Sequence, residues 1–243
     1  MSDRKHVKLF IQCIVDTLFP EVAHAMVRVL DRLGFDITCP TDQTCCGQPA
    51  FNAGYRGEAR GAARRFIEIF ESAETIVCPS GSCVSMVRHH YPELFKNDPV
   101  WRKRAEALAA RTYEFSEFLV DVQGITDTGS GFRGNVTYHD SCHLLRSLGI
   151  REQPRRLIRA VAGAQLTEMK ASDRCCGFGG SFAVKYPAIS TAMVDEKVDH
   201  ILETGAEAVV GCDMGCLMNI KGRLSRRNAG VKVMHIAELL AGE

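Results

Sequence analysis

Short apolar runs alternate with longer amphipathic stretches along the whole chain. The runs are rich in β-branched residues, as buried strands require, and they cover residues 7–11, 75–77, 136–138, 208–210 and 231–234. Between them, residues 20–33, 101–109 and 187–204 have apolar positions at helical spacing, and the first and last of these stretches end at a glycine. Alternation of strand and helix predicts an α/β fold, with parallel sheets flanked by helices.

The chain repeats itself at an offset of about 130 residues, and cysteines carry the repeat. Each half has one cysteine, then a Cys-Cys-Gly motif, then two further cysteines. The spacers between these elements are 31 and 31 residues in the first half and 32 and 35 in the second. Of the 11 cysteines, Cys39 alone lies outside the pattern. The repeat predicts two similar domains related by internal duplication.

A turn-rich stretch at residues 126–131 (TDTGSG) separates the two repeats. We therefore expect a first domain at residues 1–126, a linker at 127–133 and a second domain at 134–243. In such sheets, binding sites lie at the carboxyl ends of the strands. Cys13, Cys78, Cys142 and Cys212 are at or just after predicted strand ends.

Charge and composition narrow the class of protein. The chain has 30 basic and 29 acidic residues, a formal charge of +1, so no basic excess predicts nucleic-acid binding. No apolar run approaches the roughly 20 residues needed for a transmembrane segment. The amino terminus only weakly resembles a signal peptide, because Asp16 and Glu21 interrupt it. We expect a cytoplasmic protein whose cysteines stay reduced and serve metal binding or redox chemistry.

The cysteine pattern favours an iron–sulfur cluster, with zinc or a metal-free dithiol as alternatives. Thiolates are soft anionic ligands that suit both metals. Side chains of adjacent cysteines diverge and do not readily bind one ion together, whereas a cluster with several irons can accept both. The candidate ligands are Cys13, Cys45, Cys46, Cys78 and Cys83 in one site and Cys142, Cys175, Cys176, Cys212 and Cys216 in the other.

Four motifs carry a resemblance to a known family. They are residues 44–49 (TCCGQP), 138–143 (YHDSCH), 175–182 (CCGFGGSF) and 213–220 (DMGCLMNI). The double pattern resembles the cysteine-rich CCG domains found in heterodisulfide reductase and in the iron–sulfur subunit of glycolate oxidase. Within that group, the chain is most similar to the lactate utilisation protein A family.

The resemblance implies a protein of two CCG domains that holds one or two 4Fe–4S clusters, including clusters of non-cubane geometry. It also implies a role in the oxidation of L-lactate to pyruvate, together with partner subunits. The expected partners are a ferredoxin-like iron–sulfur protein and, as a further option, a flavoprotein.

The chain departs from the wider CCG pattern, in which the last two cysteines are separated by two residues. Ser80 and Asp213 stand at the position of the missing cysteine, so Cys78 and Cys212 are neighbours that could supply the thiolate instead. His139 and His143 bracket Cys142. We expect these two histidines to support the metal site through hydrogen bonds rather than to bind the metal, although ligation is an alternative.

No nucleotide-binding motif accompanies the cysteines: the sequence has neither Gly-x-Gly-x-x-Gly nor a Walker loop. This favours an electron-transfer subunit in the oxidation of lactate, or of a related 2-hydroxy acid such as glycolate, over a self-sufficient enzyme. Two rival hypotheses remain: a thiol–disulfide reductase subunit of the heterodisulfide reductase type, and a zinc-binding scaffold with no redox role.

Overall fold

Two four-stranded parallel sheets, one in each half of the chain, form the framework of the molecule. The computed structural model describes residues 4–242. The first half contains β1 (His6–Leu9), α1 (Cys13–Leu18), α2 (Pro20–Arg32), β2 (Asp36–Thr38), α3 (Gln48–Asn52), α4 (Arg56–Phe70), β3 (Ile76–Cys78), α5 (Gly81–Ser85), π1 (Met86–His90), α6 (Tyr91–Leu94), α7 (Pro99–Ala109), β4 (Thr112–Glu114), α8 (Phe115–Glu117) and π2 (Phe118–Val122). The second half contains β5 (Gly131–His139), π3 (His143–Ser147), α9 (Glu152–Ala160), β6 (Ala162–Leu166), α10 (Ser181–Lys185), α11 (Pro187–Glu203), β7 (Ala208–Gly211), α12 (Met214–Arg226), β8 (Lys232–His235) and α13 (Ile236–Ala241).

Both sheets have the same topology. The strand orders are β2-β1-β3-β4 and β6-β5-β7-β8, and every pairing is parallel. In each sheet the order reverses direction next to the first strand, which is where α/β sheets place their binding crevice. The predicted α/β fold with two duplicated domains is confirmed.

The hydrophobic pattern finds the central strands and the edge strand β8, but it misses other edge strands. All four residues of β7 are buried, as its apolar sequence predicts. The pattern does not predict β4 or β6: β4 has only three residues, and β6 is an edge strand that is largely exposed or half-buried. Such strands lack the continuous apolar run that identifies a buried strand.

Helices α2 and α11 have the predicted bounds to within a residue or two, whereas the 15-residue helix α4 is not among the predicted stretches. Gly34, in the left-handed region at φ +82°, follows the end of α2. In α11, Val194, Val198 and Ile201 face the core as the spacing predicts. Leu202, predicted on the same stripe, is 39% exposed, and the buried stripe instead includes Lys197.

The two halves contact each other through matching pairs of elements. Helix α2 of the first half packs on α13 of the second, while α9 of the second half packs on α8 and π2 of the first. In the same way α5 contacts π3, and α12 contacts α1. Ser80 and Asp213, which occupy equivalent positions in the repeat, form a bridge between the halves. The arrangement is that of a two-fold pair within one chain.

The connection between the halves is tied to the second half and to α2. Strand β5 already begins at Gly131, inside the predicted linker. The Arg32 side chain donates hydrogen bonds to the carbonyls of Thr128, Leu240 and Ala241. One apolar core cluster runs through both halves. Among residues 4–242, no helix has the length and hydropathy needed to cross a bilayer.

Candidate metal centre

Four cysteines of the first half converge at the carboxyl end of its sheet. Cys13 begins α1 just after β1, Cys45 and Cys46 lie on the loop before α3, and Cys83 lies in the first turn of α5. The Cys46 thiol donates to the Cys83 Sγ at 3.4 Å. The free N–H groups of a helix amino terminus stabilise negative charge, which suits a thiolate at Cys83.

Protons are shared unevenly among these thiols. A hydrogen bond from Cys13 lowers the pKa of Cys45 to about 3, and a hydrogen bond from Cys46 lowers the pKa of Cys83 well below its usual value. The pKa of each donor thiol shifts in the opposite direction: hydrogen bonding to Cys45 raises the pKa of both Cys13 and Cys46. Metal binding to these cysteines would release the protons of their thiols.

The second half repeats this arrangement with Cys142, Cys175, Cys176 and Cys216. A hydrogen bond from Cys142 lowers the pKa of Cys175 to about 2, while hydrogen bonding to Cys175 raises the pKa of Cys176. The Sγ atoms of Cys176 and Cys216 lie within 4.8 Å of each other and of a ring nitrogen of His139. These three residues are buried.

A glycine in the left-handed region follows each vicinal pair. Gly47 has φ +84° and Gly177 has φ +82°. Each glycine donates its N–H to the first cysteine of its pair, Cys45 or Cys175, at 3.4 Å. A Cβ atom at Gly47 would lie 3.0 Å from the Ala62 Cβ. Glycine is needed at Gly47 both for the turn and for the close approach of helix α4.

Cys78 and Cys212, the candidates whose roles the sequence left open, are both fully buried behind these sets. The Cys78 thiol contacts the Gln12 Oε1 at 3.9 Å, and hydrogen bonding to Cys83 contributes, after burial, to its raised pKa. The Cys212 Sγ lies 3.4 Å from the Tyr138 hydroxyl. Burial raises the pKa of Cys212 well above its usual value. Cys39 is exposed and bonds to Gln43.

The two thiol sets line one cavity between the halves. This cavity has a volume of about 210 Å³, and both vicinal pairs contribute to its wall together with Cys13, Cys83, Cys142 and Cys216. Cys78 and Cys212 do not line it. Asp213 lies in the wall and accepts hydrogen bonds from the Ser82 N–H at 3.0 Å and the Ser80 hydroxyl at 3.3 Å. The side chain that replaces the missing cysteine thus joins the halves.

The two histidines expected near the second set differ in their surroundings. His143 lines the cavity, and its Nδ1 lies 3.7 Å from the Cys142 Sγ. His139 ends β5 and is buried deeper, and burial lowers its pKa to about 3. Both therefore lie beside cysteines of the second set.

A buried polar network holds the loops around the second set. Arg155 forms a bidentate ion pair with Asp140 at 2.8 and 2.7 Å and also bonds Glu168. Lys197, which is 1% exposed, donates to the carbonyls of Ala171 and Ser172. These contacts fix the strand end before Cys142 and the loop before Cys175.

Sequence reasoning places the cysteines near one another but does not find the shared cavity or the buried lysine. The cavity depends on how the halves pack, which the repeat alone does not encode. Lys197 could have been found from the repeat itself. At an offset of 131 residues, the buried positions of α4 and α11 coincide, and Lys197 takes the position of Phe66.

The donor chemistry of both sets fits an iron–sulfur cluster. Each set offers four thiols at the carboxyl end of a parallel sheet, and each has a glycine N–H directed at sulfur. Four cysteine thiolates are the usual ligands of such a cluster, and N–H donors to sulfur tune its potential. Clustered thiols of this kind are consistent with metal binding in general.

Comparisons with known proteins agree with this architecture. The CCG cysteine-rich domain family matches residues 7–88 and 136–221. A lactate utilization protein A from Exiguobacterium sp. is 53% identical over 97% of this chain and 96% of its own length. A second, from Bacillus pumilus, is 52% identical over 96% of this chain and 98% of its own.

One solved structure supports the fold alone. A hypothetical protein from Helicobacter pylori superposes with a TM-score of 0.70 at 9% identity, covering 97% of this chain and 48% of that one. The fold, the two thiol sets and the matches define a protein of two CCG cysteine-rich domains. Within that class, the chain belongs to the lactate utilization protein A family.

Proposed function

We propose that this chain is an iron–sulfur electron-transfer subunit of a system that oxidises L-lactate, or a related 2-hydroxy acid such as glycolate, to the 2-oxo acid. The observation that carries the proposal is the pair of four-thiol sets facing one cavity. The names of the relatives supply lactate as the substrate.

Two sites in one cavity suit the stoichiometry of this reaction. Oxidation of a 2-hydroxy acid to a 2-oxo acid removes two electrons and two protons, whereas an iron–sulfur cluster transfers one electron at a time. Cys13, Cys45, Cys46 and Cys83 would hold one cluster, and Cys142, Cys175, Cys176 and Cys216 the other. The surrounding chain orients the thiolates and directs the Gly47 and Gly177 N–H groups at sulfur.

The partners and the compartment follow from the same reasoning. With no nucleotide-binding motif in the sequence, the substrate's electrons would pass to or from a ferredoxin-like iron–sulfur protein and a flavoprotein. We place the protein in the cytoplasm, because its 11 cysteines are all free thiols and a reducing compartment keeps them so.

The metal content of anaerobically purified protein tests the proposal. About eight irons per chain with matching sulfide are expected if both sets bind 4Fe–4S clusters. Cys45→Ser and Cys176→Ser should each remove about half of the iron, whereas Cys39→Ser, outside both sets, should leave it unchanged. Zinc without iron, in protein that gives no EPR signal after reduction, would contradict the proposal and favour the scaffold hypothesis.

A thiol–disulfide reductase is the second candidate, and the open cavity supports it. A disulfide entering between the two sets could meet both. Reduction of an aliphatic disulfide by the iron-loaded protein, without lactate-dependent electron transfer in the presence of its partners, would favour this candidate over the first.

A further inference from the structure

His139 is a buried imidazole that lacks hydrogen-bond partners. It is 1% exposed, and within residues 4–242 neither Nδ1 nor Nε2 has a hydrogen-bond partner. Buried polar groups are almost always satisfied in native proteins, so each exception needs an explanation.

The position of the ring suggests what the missing partner is. A ring nitrogen of His139 and the Sγ atoms of Cys176 and Cys216 all lie within 4.8 Å of one another. Metal bonds to nitrogen and sulfur are about 2.0–2.3 Å long, so the ligand atoms of a tetrahedral ion lie about 3.5–3.8 Å apart. Side-chain adjustments of up to about 1 Å would let the three atoms bind one ion.

The first half shows that packing alone does not require a histidine at this position. The equivalent residue there is Phe10, whose ring packs against that of Phe66 with 4.6 Å between the two ring centroids. In the second half, His139 and Lys197 replace this aromatic pair. Both halves have the four thiols, but the aromatic pair beside them in the first half is replaced by a polar pair in the second half. This difference points to a chemical role for His139.

We propose that His139 is a metal ligand of the second site, binding the same ion as Cys176 and Cys216. The sequence predicted an indirect role for this residue, and His143 retains that role beside Cys142. The first site then has thiolate ligands only, whereas the second includes a neutral imidazole. The identity of the ligands tunes the potential of an iron–sulfur centre, so a second site with an imidazole added to its four thiolates would differ in potential from the first. That consequence rests on the proposed function.

Pulsed EPR of reduced, anaerobically purified protein labelled with ¹⁵N-histidine tests the assignment. The wild-type protein should show the strong hyperfine coupling of a directly bound nitrogen. His139→Phe, which reproduces the first half, should lose this coupling, and the control His143→Gln should keep it. His139→Cys restores an anionic ligand and should lower the midpoint potential of the second site without loss of iron.

The outcomes separate this proposal from the proposed function. Iron-loaded wild-type protein with no strongly coupled nitrogen, or with coupling that survives in His139→Phe, overturns the role of His139 and leaves the proposed function intact. If the protein holds zinc and no iron, the proposed function fails. Zinc-edge X-ray absorption then decides whether His139 is a ligand of the zinc. A mixed nitrogen and sulfur shell that becomes all-sulfur in His139→Phe supports ligation, and an all-sulfur shell in wild type contradicts it.

Discussion

At the scale of single residues, the glycine after each vicinal cysteine pair determines how closely helix α4 or helix α11 can approach the loop. At Gly47, an added Cβ would lie 3.0 Å from the Ala62 Cβ and 3.3 Å from the Ala59 backbone oxygen of α4. At Gly177, it would meet the backbone oxygen of Ser190 at 2.6 Å, which cannot move without shifting α11. The same motif is therefore under a tighter constraint in the second half.

This difference predicts unequal effects of one substitution. Gly177→Ala should destabilise the protein by about 1–3 kcal/mol, because it adds a clash to a left-handed backbone conformation. It should also lower the metal content of the second site. Gly47→Ala should have a smaller effect of the same kind. Denaturant unfolding and iron analysis on both variants measure this.

Gly61→Ala is the matched control. Gly61 is exposed on α4 with nothing within 4 Å of its Cβ position, so alanine should be neutral or slightly stabilising there. Equal decreases in the free energy of unfolding and in iron content for Gly47→Ala and Gly177→Ala would show that the contact with Ser190 does not set the effect of the substitution.

At the scale of elements, the last strand of each sheet leads directly into a helix whose N-cap residue is unusual. Glu114 caps α8 and His235 caps α13, each in a capping box with a glutamate three residues later. The His235 Nδ1 accepts from the Ala237 N–H, and its Nε2 donates to the Pro79 carbonyl of the other half. Glu114 instead accepts from Ser116, and its Oε1 has no partner among the residues described.

Burial of Glu114 predicts a pH dependence of stability. Burial raises its pKa to about 7, so the folded protein binds this proton more tightly than the unfolded chain does. The resulting stabilisation is complete below the ordinary pKa of a glutamate and is lost as the pH rises through about 7. Between pH 5 and 8, the free energy of unfolding should fall by roughly 3 kcal/mol from this group.

Glu114→Gln removes the titration and keeps the acceptor for Ser116. Urea unfolding of this variant should therefore show a flatter pH profile than wild type. Glu58→Gln, at an exposed position on α4, should follow the wild-type profile. Parallel profiles for wild type and Glu114→Gln would mean that Glu114 is not a buried acid.

Sequence patterns predict the parts of these elements that depend on local chemistry. The central strands, helices α2 and α11 and the cysteine repeat are all visible, because apolar periodicity and residue spacing are properties of the chain itself. The edge strands β4 and β6 are not predicted, because β4 is a three-residue strand with polar residues and β6 is largely exposed or half-buried. The burial of Glu114 and Lys197 escapes too, because a charged side chain on a helix or strand end normally indicates solvent.

At the scale of the whole molecule, each half has apolar surface that is covered only by the other half. Helices α2 and α13 pack on each other across the boundary, and the apolar core cluster includes residues such as Val29 and Leu240 from both halves. Arg32 also bonds carbonyls at the end of α13. An isolated half would expose these faces to water.

Residues 1–126 and 127–243 should therefore aggregate, or remain unstable, when each is expressed alone. Co-expression should give a soluble one-to-one complex that binds the same metal per pair as the intact chain. Size-exclusion chromatography with metal analysis tests this. A stable, monomeric first half that holds its metal alone would show that the interface is dispensable.

The bridge between Ser80 and Asp213 marks the axis about which the halves are related, and it has an evolutionary consequence. In a symmetric dimer of one short chain, each substitution would appear at both sites at once. Joining the copies ends that coupling. Serine can face aspartate across the axis, and phenylalanine in one site can correspond to histidine in the other. The fused chain behaves as a permanent dimer whose two subunits are free to specialise.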